Sequence, residues 1–128
     1  MRNLEQIRAA NALNFCKSNK VEGDEGGNIL SGLPALIMNN GLLAVVAFAK
    51  SKSRGWKECM DAIARHLASE EIGIIGNHCK DLDLLLDYLT NKADSRTLKQ
   101  ATDEALAWLS FAKRFNEKNK KEVKEDSI

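Results

Sequence analysis

Apolar residues recur in this chain at the spacing of three and four that marks one face of a helix, almost from end to end. No stretch alternates apolar and polar residues over the length of a strand, and the single proline is Pro34. The length of 128 residues suits one domain, and 44% hydrophobic content is enough to bury a core. The sequence therefore predicts an all-α fold, a compact single-domain bundle of about six helices over residues 1–118, with a charged C-terminal tail over 119–128.

Caps and breaks predict the limits of the first two helices. Asn3 is a good N-cap for a helix that runs to about Ser18. Between Lys20 and Gly27, three glycines and three acids predict a polar loop. A second helix is expected from near Asn28 to Asn39-Asn40-Gly41, because Asn and Gly tolerate the left-handed backbone that ends a helix.

The third helix, from Leu42 to about Ser51, is apolar on every side until Lys50. This pattern predicts a helix that is buried all round and forms the centre of the bundle. The apolar run from Gly41 to Ala49 covers nine residues, about half of the roughly 20 needed to cross a bilayer. We therefore interpret it as a core helix.

The remaining helices are predicted from apolar stripes and capping residues. The fourth carries inward-facing residues at spacings of four, three and four: Trp56, Met60, Ile63 and Leu67. Its outward-facing residues are expected to be Lys57, Asp61 and Arg65. A fifth helix is predicted from Asp81 or Leu82 to Thr90, and Ser95 can cap a long sixth helix.

Charge and cysteine usage limit the class of protein. Nineteen basic and eighteen acidic residues give a net charge of +1, so any site for a polyanion must be a local patch. Cys16, Cys59 and Cys79 are odd in number and far apart, which indicates reduced thiols in a cytoplasmic protein. The N-terminal residues lack the apolar run of a signal peptide, and export is not expected.

Residues that could carry catalysis are few. No Cys-x-x-Cys or His-x-x-x-His spacing occurs, so we predict no metal site and no cofactor. His78 and Cys79 are neighbours whose side chains are expected to diverge on a helix. Asp83 and Asp87 share one helix face. Acidic residues in the first turns of a helix are usually explained by their favourable interaction with the positive end of the helix dipole. A hydrolase or metal-dependent enzyme built on Asp83, Asp87 or His78 remains an alternative, but the sequence predicts a protein that is not an enzyme.

Two groups of basic residues are better candidates for function. Four of them fall within eight residues where the third helix gives way to the fourth, and we name this group the basic corner: Lys50, Lys52, Arg54 and Lys57. A second group is Lys113-Arg114 on the sixth helix, beside Phe111 and Phe115. Helix-borne lysine and arginine can bind a phosphate backbone without regard to sequence. They can equally serve only to keep a helix end soluble and to interact favourably with the negative end of the helix dipole.

Two stretches of the chain resemble the small helical subunit of Cmr complexes, the type III-B CRISPR effectors that cut RNA under guide-RNA direction. The first is Leu33-Pro34-Ala35-Leu36-Ile37-Met38-Asn39-Asn40-Gly41-Leu42-Leu43, followed by Ala47-Phe48 and Lys50-Ser51-Lys52. The second is Thr102-Asp103-Glu104-Ala105-Leu106-Ala107-Trp108-Leu109, followed by Lys113-Arg114-Phe115, which is similar to the closing helix of that family. The segment from Arg8-Ala9 to Ala12 resembles its opening helix.

The resemblance implies a helical bundle that stacks in a few copies into the minor filament of the complex, with the guide–target RNA duplex passing between this filament and larger backbone subunits. It also implies that the backbone subunits, not this one, cut the RNA. The residues expected to contact the RNA backbone are Lys50, Lys52, Arg54, Lys113, Arg114 and Arg8. The alternative is a protein–protein adaptor without RNA contact, for which apolar surface on the fourth or sixth helix would matter more.

Overall fold

The structure, a computed structural model, describes the backbone of residues 2–18 and 23–126 and the side chains of residues 2–17 and 29–116. These ranges hold helices and no strand, which confirms the predicted all-α single-domain bundle. The helices, in chain order, are α1 (Leu4–Ser18), α2 (Gly23–Asn40), α3 (Leu42–Ala49), α4 (Arg54–Ala68), α5 (Leu82–Asn91) and α6 (Ser95–Asp126).

The start of α1 follows the predicted cap. The backbone N–H of Gln6 donates to Asn3 Oδ1 at 2.8 Å, and the Gln6 side chain accepts from the Asn3 N–H at 2.8 Å. This reciprocal pair satisfies two N–H groups that a helix start would leave without partners.

The loop predicted between Lys20 and Gly27 is wrong for its second half. Residues 19–22 lie outside the described part of the chain, and α2 begins at Gly23 rather than near Asn28. The buried residues Ile29, Leu30 and Leu33 hold the later turns of α2 against the core. This burial outweighs the low helix propensity of the glycines.

Gly41 makes the sharp turn between α2 and α3, as predicted from Asn39-Asn40-Gly41. Its φ of 83° and ψ of 157° belong to a region that is open essentially to glycine alone. The Gly41 N–H donates to Ile37 O at 2.7 Å, and Asn40 Nδ2 donates to Leu36 O at 3.0 Å. Both bonds satisfy carbonyl groups at the end of α2.

The centre of the bundle is α6, and the prediction that α3 occupies it is wrong. α6 packs against α1, α2, α3 and α4, and its buried residues are Ala101, Glu104, Ala105, Trp108, Leu109 and Ala112. α3 buries one face only, formed by Leu42, Val45, Val46 and Ala49. Its other face leaves Ala44, Ala47 and Phe48 exposed, and alanine carries so little apolar area that exposing it costs little.

The apolar stripe of α4 is confirmed, with Met60, Ile63 and Leu67 fully buried and Trp56 half-buried. Asp61 does not simply face solvent, because it is half-buried and its Oδ1 accepts from the Leu82 N–H at 2.7 Å. Asp81 caps the same end of α5 by accepting from the Leu84 N–H at 2.8 Å. Two carboxylates on different elements therefore fix the start of α5.

The cap predicted at Ser95 lies one residue earlier. Asp94 Oδ1 accepts from the Thr97 N–H at 2.8 Å, and Ser95 is the first residue of α6. The ionised form accepts this bond best, which lowers the Asp94 pKa. At its far end the α6 backbone continues to Asp126, and the division into a bundle over 1–118 and a tail over 119–128 stays a prediction.

Candidate nucleic-acid interface

The basic corner lies where the chain leaves α3 and enters α4. The Ser51 N–H donates to Phe48 O at 3.3 Å and the Lys52 N–H donates to Ala49 O at 3.1 Å, so one tight turn joins the two helices. All four basic residues of the corner are exposed. Short helix ends and one turn therefore hold four cations on a single edge of the bundle.

Two cations of the corner have acidic partners on the surface. Lys50 Nζ lies 3.4 Å from Asp83 Oδ1, and the side chains are 60% and 64% exposed. Arg54 Nε donates to Glu58 Oε1 at 3.1 Å across one turn of α4. Exposed pairs of this kind contribute about 0–1 kcal/mol, so a phosphate group can replace the carboxylate at low cost.

Lys52 and an aromatic pair form a feature that the sequence interpretation missed. Lys52 Nζ lies 4.6 Å from the centroid of the Phe48 ring, and the Phe48 and Trp56 rings meet edge to face with centroids 5.5 Å apart. The available signal was the position of Phe48 and Trp56 on either side of the short turn that carries Lys52. It was obscured because Phe48 stands in an apolar run that resembles core.

Lys113 and Arg114 occupy a different part of the surface. Lys113 is half-buried and Arg114 is exposed, and both line a shallow groove with Pro34, Leu106 and Ser110. Arg114 also lines a groove with Arg8 and the first turn of α1. The basic corner instead contacts α5 through Asp83, so the structure does not join the two basic groups through any described contact.

Arg8 is engaged inside the bundle. Its Nε and Nη2 donate to Glu104 Oε2 and Oε1 at 2.7 and 2.8 Å, in a bidentate pair between α1 and α6. Glu104 is buried, and its Oε2 also lies 3.0 Å from His66 Nε2. We name this set the polar cluster: Arg8, Asn11, His66 and Glu104.

The partners of His66 in the polar cluster determine which of its ring nitrogens donates a hydrogen bond. The ionised Glu104 carboxylate can only accept, so His66 Nε2 carries the proton in its 3.0 Å contact with Glu104 Oε2, and Asn11 Nδ2 lies 2.9 Å from His66 Nδ1. Burial alone would raise the Glu104 pKa, but the hydrogen bonds from Arg8 and His66 outweigh it and lower the pKa to about 2. A single carboxylate thus ties α1 and α4 to α6.

The thiols are poor nucleophiles. Burial raises the pKa of Cys16 to about 11 and that of Cys59 to about 12, and it also raises the Cys79 pKa. The expectation that the His78 and Cys79 side chains diverge is wrong, because the segment is a loop and Cys79 Sγ lies 3.5 Å from His78 Nε2. Cys79 is nevertheless buried, which withholds it from substrates.

Other kinds of site were sought in the described residues. No group of three or more His, Cys, Asp and Glu side chains in residues 2–17 and 29–116 could hold a metal ion. None of the described helices is long and apolar enough to cross a membrane.

Comparison with known proteins relates the chain to one family. A family model described as "CRISPR-associated protein (Cas_Cmr5)" matches residues 4–118. The fold is similar to a crystal structure of a CRISPR-associated Cmr5 family protein from Thermus thermophilus, with a TM-score of 0.72 and 24% sequence identity over 91% of this chain and 96% of that chain. No curated protein matches the chain significantly.

Proposed function

The chain belongs to the Cmr5 family of CRISPR-associated proteins, the small subunits of the type III-B Cmr complex, and we propose that it is a non-catalytic subunit that stacks in the minor filament and contacts the guide–target RNA backbone. The observation that carries the RNA contact is the basic corner: four exposed cations on the tight, hydrogen-bonded turn after α3 and on the first turn of α4. Phosphate contacts of this kind add affinity without sequence preference, as guide-directed recognition requires.

Stacking in several copies is supported by the charge of the chain. A net charge of +1 and a few phosphate contacts give one copy weak affinity at cellular salt. Copies held side by side along one RNA raise the effective concentration of each corner near the next phosphates. We therefore propose that the corner acts as a repeated contact along the filament.

The proposed RNA contacts are Lys50, Lys52, Arg54, Lys113 and Arg114. The first three can exchange weak surface partners for phosphates, and Arg114 is exposed beside Lys113. For Arg8 we propose a structural role instead, because both nitrogens that face Glu104 already donate to a buried carboxylate.

A protein–protein adaptor without RNA contact is the competing proposal. It was expected to use apolar surface on the fourth or sixth helix, but the large apolar residues that are exposed in the described part of the chain lie on α1, α2, α3 and α5. They are Leu4, Leu13, Leu36, Met38, Phe48 and Leu84. Met38, at 72% exposure, is the strongest candidate for contact with another subunit.

The test replaces Lys50, Lys52, Lys113 and Arg114 together by alanine in the assembled complex and measures target-RNA affinity across salt concentrations. Each lost phosphate contact reduces the slope of log affinity against log salt by about 0.7–0.9, so we expect a slope shallower by about 3 for each copy of the chain that contacts the RNA. A matched control removes three lysines and one arginine elsewhere on the surface: Lys80, Lys92, Lys99 and Arg96. An unchanged slope in the first variant contradicts the RNA role and favours the adaptor.

A further inference from the structure

The outer face of α3 is a small apolar surface that ends in an aromatic ring. Ala44, Ala47 and Phe48 are exposed and stand at spacings of three and four, so they share one side of the helix. The Phe48 side chain leaves 47% of its surface exposed. An aromatic ring bordered by two alanines offers a flat surface, over which the described part of the chain places the Lys52 ammonium and beside which it places the Trp56 ring.

Phe48 is held in a fixed position. Its ring meets the Trp56 ring at 81° with centroids 5.5 Å apart, and Trp56 is half-buried against the core. Such edge-to-face pairs stabilise one arrangement of the two rings. A ligand that stacks on Phe48 therefore meets a platform that is already ordered.

The surroundings of the ring are basic. Lys52 Nζ lies over the ring at 4.6 Å, and Lys50, Arg54 and Lys57 are exposed close by in the chain, where Asp83 pairs with Lys50 and Glu58 with Arg54. No acidic residue occurs from Leu42 to Lys57. The ligand that complements this surface carries a flat π-system together with negative charge, which is the chemistry of a nucleotide.

Resting on the proposed RNA-binding function, we propose that Phe48 stacks with one unpaired RNA base while Lys52 leaves the ring and binds the adjoining phosphate. An exposed cation over an aromatic ring is worth about 2- to 5-fold in an equilibrium constant. A base on an aromatic side chain is worth about 5- to 150-fold, so the exchange favours the base. The base is unpaired because both faces of a base inside a continuous duplex are covered by its neighbours.

The experiment titrates the full chain at low salt with two probes, a single-stranded oligouridine of about a dozen nucleotides and a fully paired RNA duplex of similar length. Phe48→Leu removes the ring and keeps an apolar side chain, and Phe48→Tyr retains the ring. Leu13→Ala, on α1 at 38% exposure, controls for the loss of exposed apolar area. Circular dichroism verifies that each variant is folded, and Trp56 fluorescence reports base contact because Trp108 is buried.

We expect Phe48→Leu to weaken binding of the single strand by about 5- to 150-fold and to leave duplex binding within about twofold, with Phe48→Tyr close to wild type. Equal single-strand affinity for wild type and Phe48→Leu overturns the proposal. Loss of incorporation into the Cmr complex with RNA affinity unchanged also overturns it and identifies the face as a protein contact.

The same titration, repeated over a range of salt concentrations and extended to the variant in which Lys50, Lys52, Lys113 and Arg114 are alanine, separates this proposal from the function on which it rests. If the variant lacking Lys50, Lys52, Lys113 and Arg114 loses salt dependence while Phe48→Leu binds like wild type, RNA contact stands and stacking is wrong. If neither variant changes affinity or salt dependence for either probe, both proposals are wrong.

Discussion

The polar cluster and the basic corner are made of the same kinds of charge in opposite surroundings. Arg8 makes two hydrogen bonds of 2.7 and 2.8 Å to a carboxylate whose side chain is only 7% exposed. Lys50 has one contact of 3.4 Å to a carboxylate that is 64% exposed. Removing one member of the buried pair leaves the other charge away from water and without a partner. A member of the surface pair can instead exchange its partner for water or a phosphate. Burial therefore decides which cation holds the fold and which is available to a ligand.

The largest effect is expected from Glu104→Leu. The substitution leaves the Arg8 guanidinium and the His66 Nε2–H without their acceptor, and removing one partner of a buried pair costs about 3–5 kcal/mol. Urea unfolding of the variant measures this loss. Asp103→Ala, at the exposed neighbouring position of α6, is the control and should stay within about 0.5 kcal/mol of wild type. A Glu104→Leu variant as stable as wild type would show that the polar cluster does not hold the bundle.

Acid should remove the contribution of Glu104 gradually. Its pKa lies near 2 in the folded chain against an ordinary value of 4.5, so the ionised carboxylate stabilises the fold by about 3 kcal/mol above that ordinary value. This contribution is lost as the pH falls from about 4.5 through about 2. The stability difference between wild type and Glu104→Gln, measured at each pH, should shrink over this window. A difference that stays constant across it would mean that the folded pKa is not lowered.

Gly41→Ala should have the next largest effect. Alanine at a φ of 83° and ψ of 157° is strained by about 1–3 kcal/mol, although nothing lies within 4 Å of the added Cβ. Urea unfolding measures the cost. Gly32→Ala on α2, where space is also open, serves as the control because alanine favours a helix. Equal stability of the two variants would contradict the view that the turn into α3 requires the backbone conformation of a glycine at position 41.

The smallest effect on stability is expected at the basic corner. Replacing Lys50, Lys52 and Arg54 together by alanine removes two exposed ion pairs and one exposed cation–π contact, and we expect the free energy of unfolding to fall by less than about 2 kcal/mol. Thermal and urea unfolding check this. A loss comparable to that of Glu104→Leu would mean that the corner is structural.

Sequence reasoning predicted the helix ends best where short-range chemistry decides them. Asn3 and Gln6 form a local capping pair, and Asp81 caps α5 within one residue of the predicted start. At α6 two capping residues stand side by side, and only the structure distinguishes Asp94 from Ser95. Capping preferences alone do not decide between two adjacent capping residues.

Burial was harder to predict because it depends on which elements meet. The α3 sequence is apolar all round, but the side with Ala44, Ala47 and Phe48 is exposed, even though the Phe48 ring contacts Trp56 of α4. The start of α2 was missed because glycines signal loops locally, while packing of Ile29 and Leu30 extends the helix.

The candidate site was predicted in part. Clustering along the sequence identified the basic residues, the resemblance to a known family assigned them a role, and the structure finds Lys50, Lys52 and Arg54 exposed. That Arg8 is bound to Glu104 could not be read from the sequence, because the two residues are 96 positions apart. The Phe48 platform was missed since exposure is not visible in an apolar run.

The most direct test of the account compares two variants in one experiment. The Cmr complex is assembled with the corner variant, in which Lys50, Lys52 and Arg54 are alanine, or with an Arg8→Leu/Glu104→Leu double variant that removes the buried pair together. Target-RNA affinity is then measured across salt concentrations. We predict a salt slope shallower by about 2–3 for each copy that contacts the RNA in the corner variant, and an unchanged slope in the double variant. An unchanged slope for the corner variant, or a shallower slope for the double variant, would contradict the account.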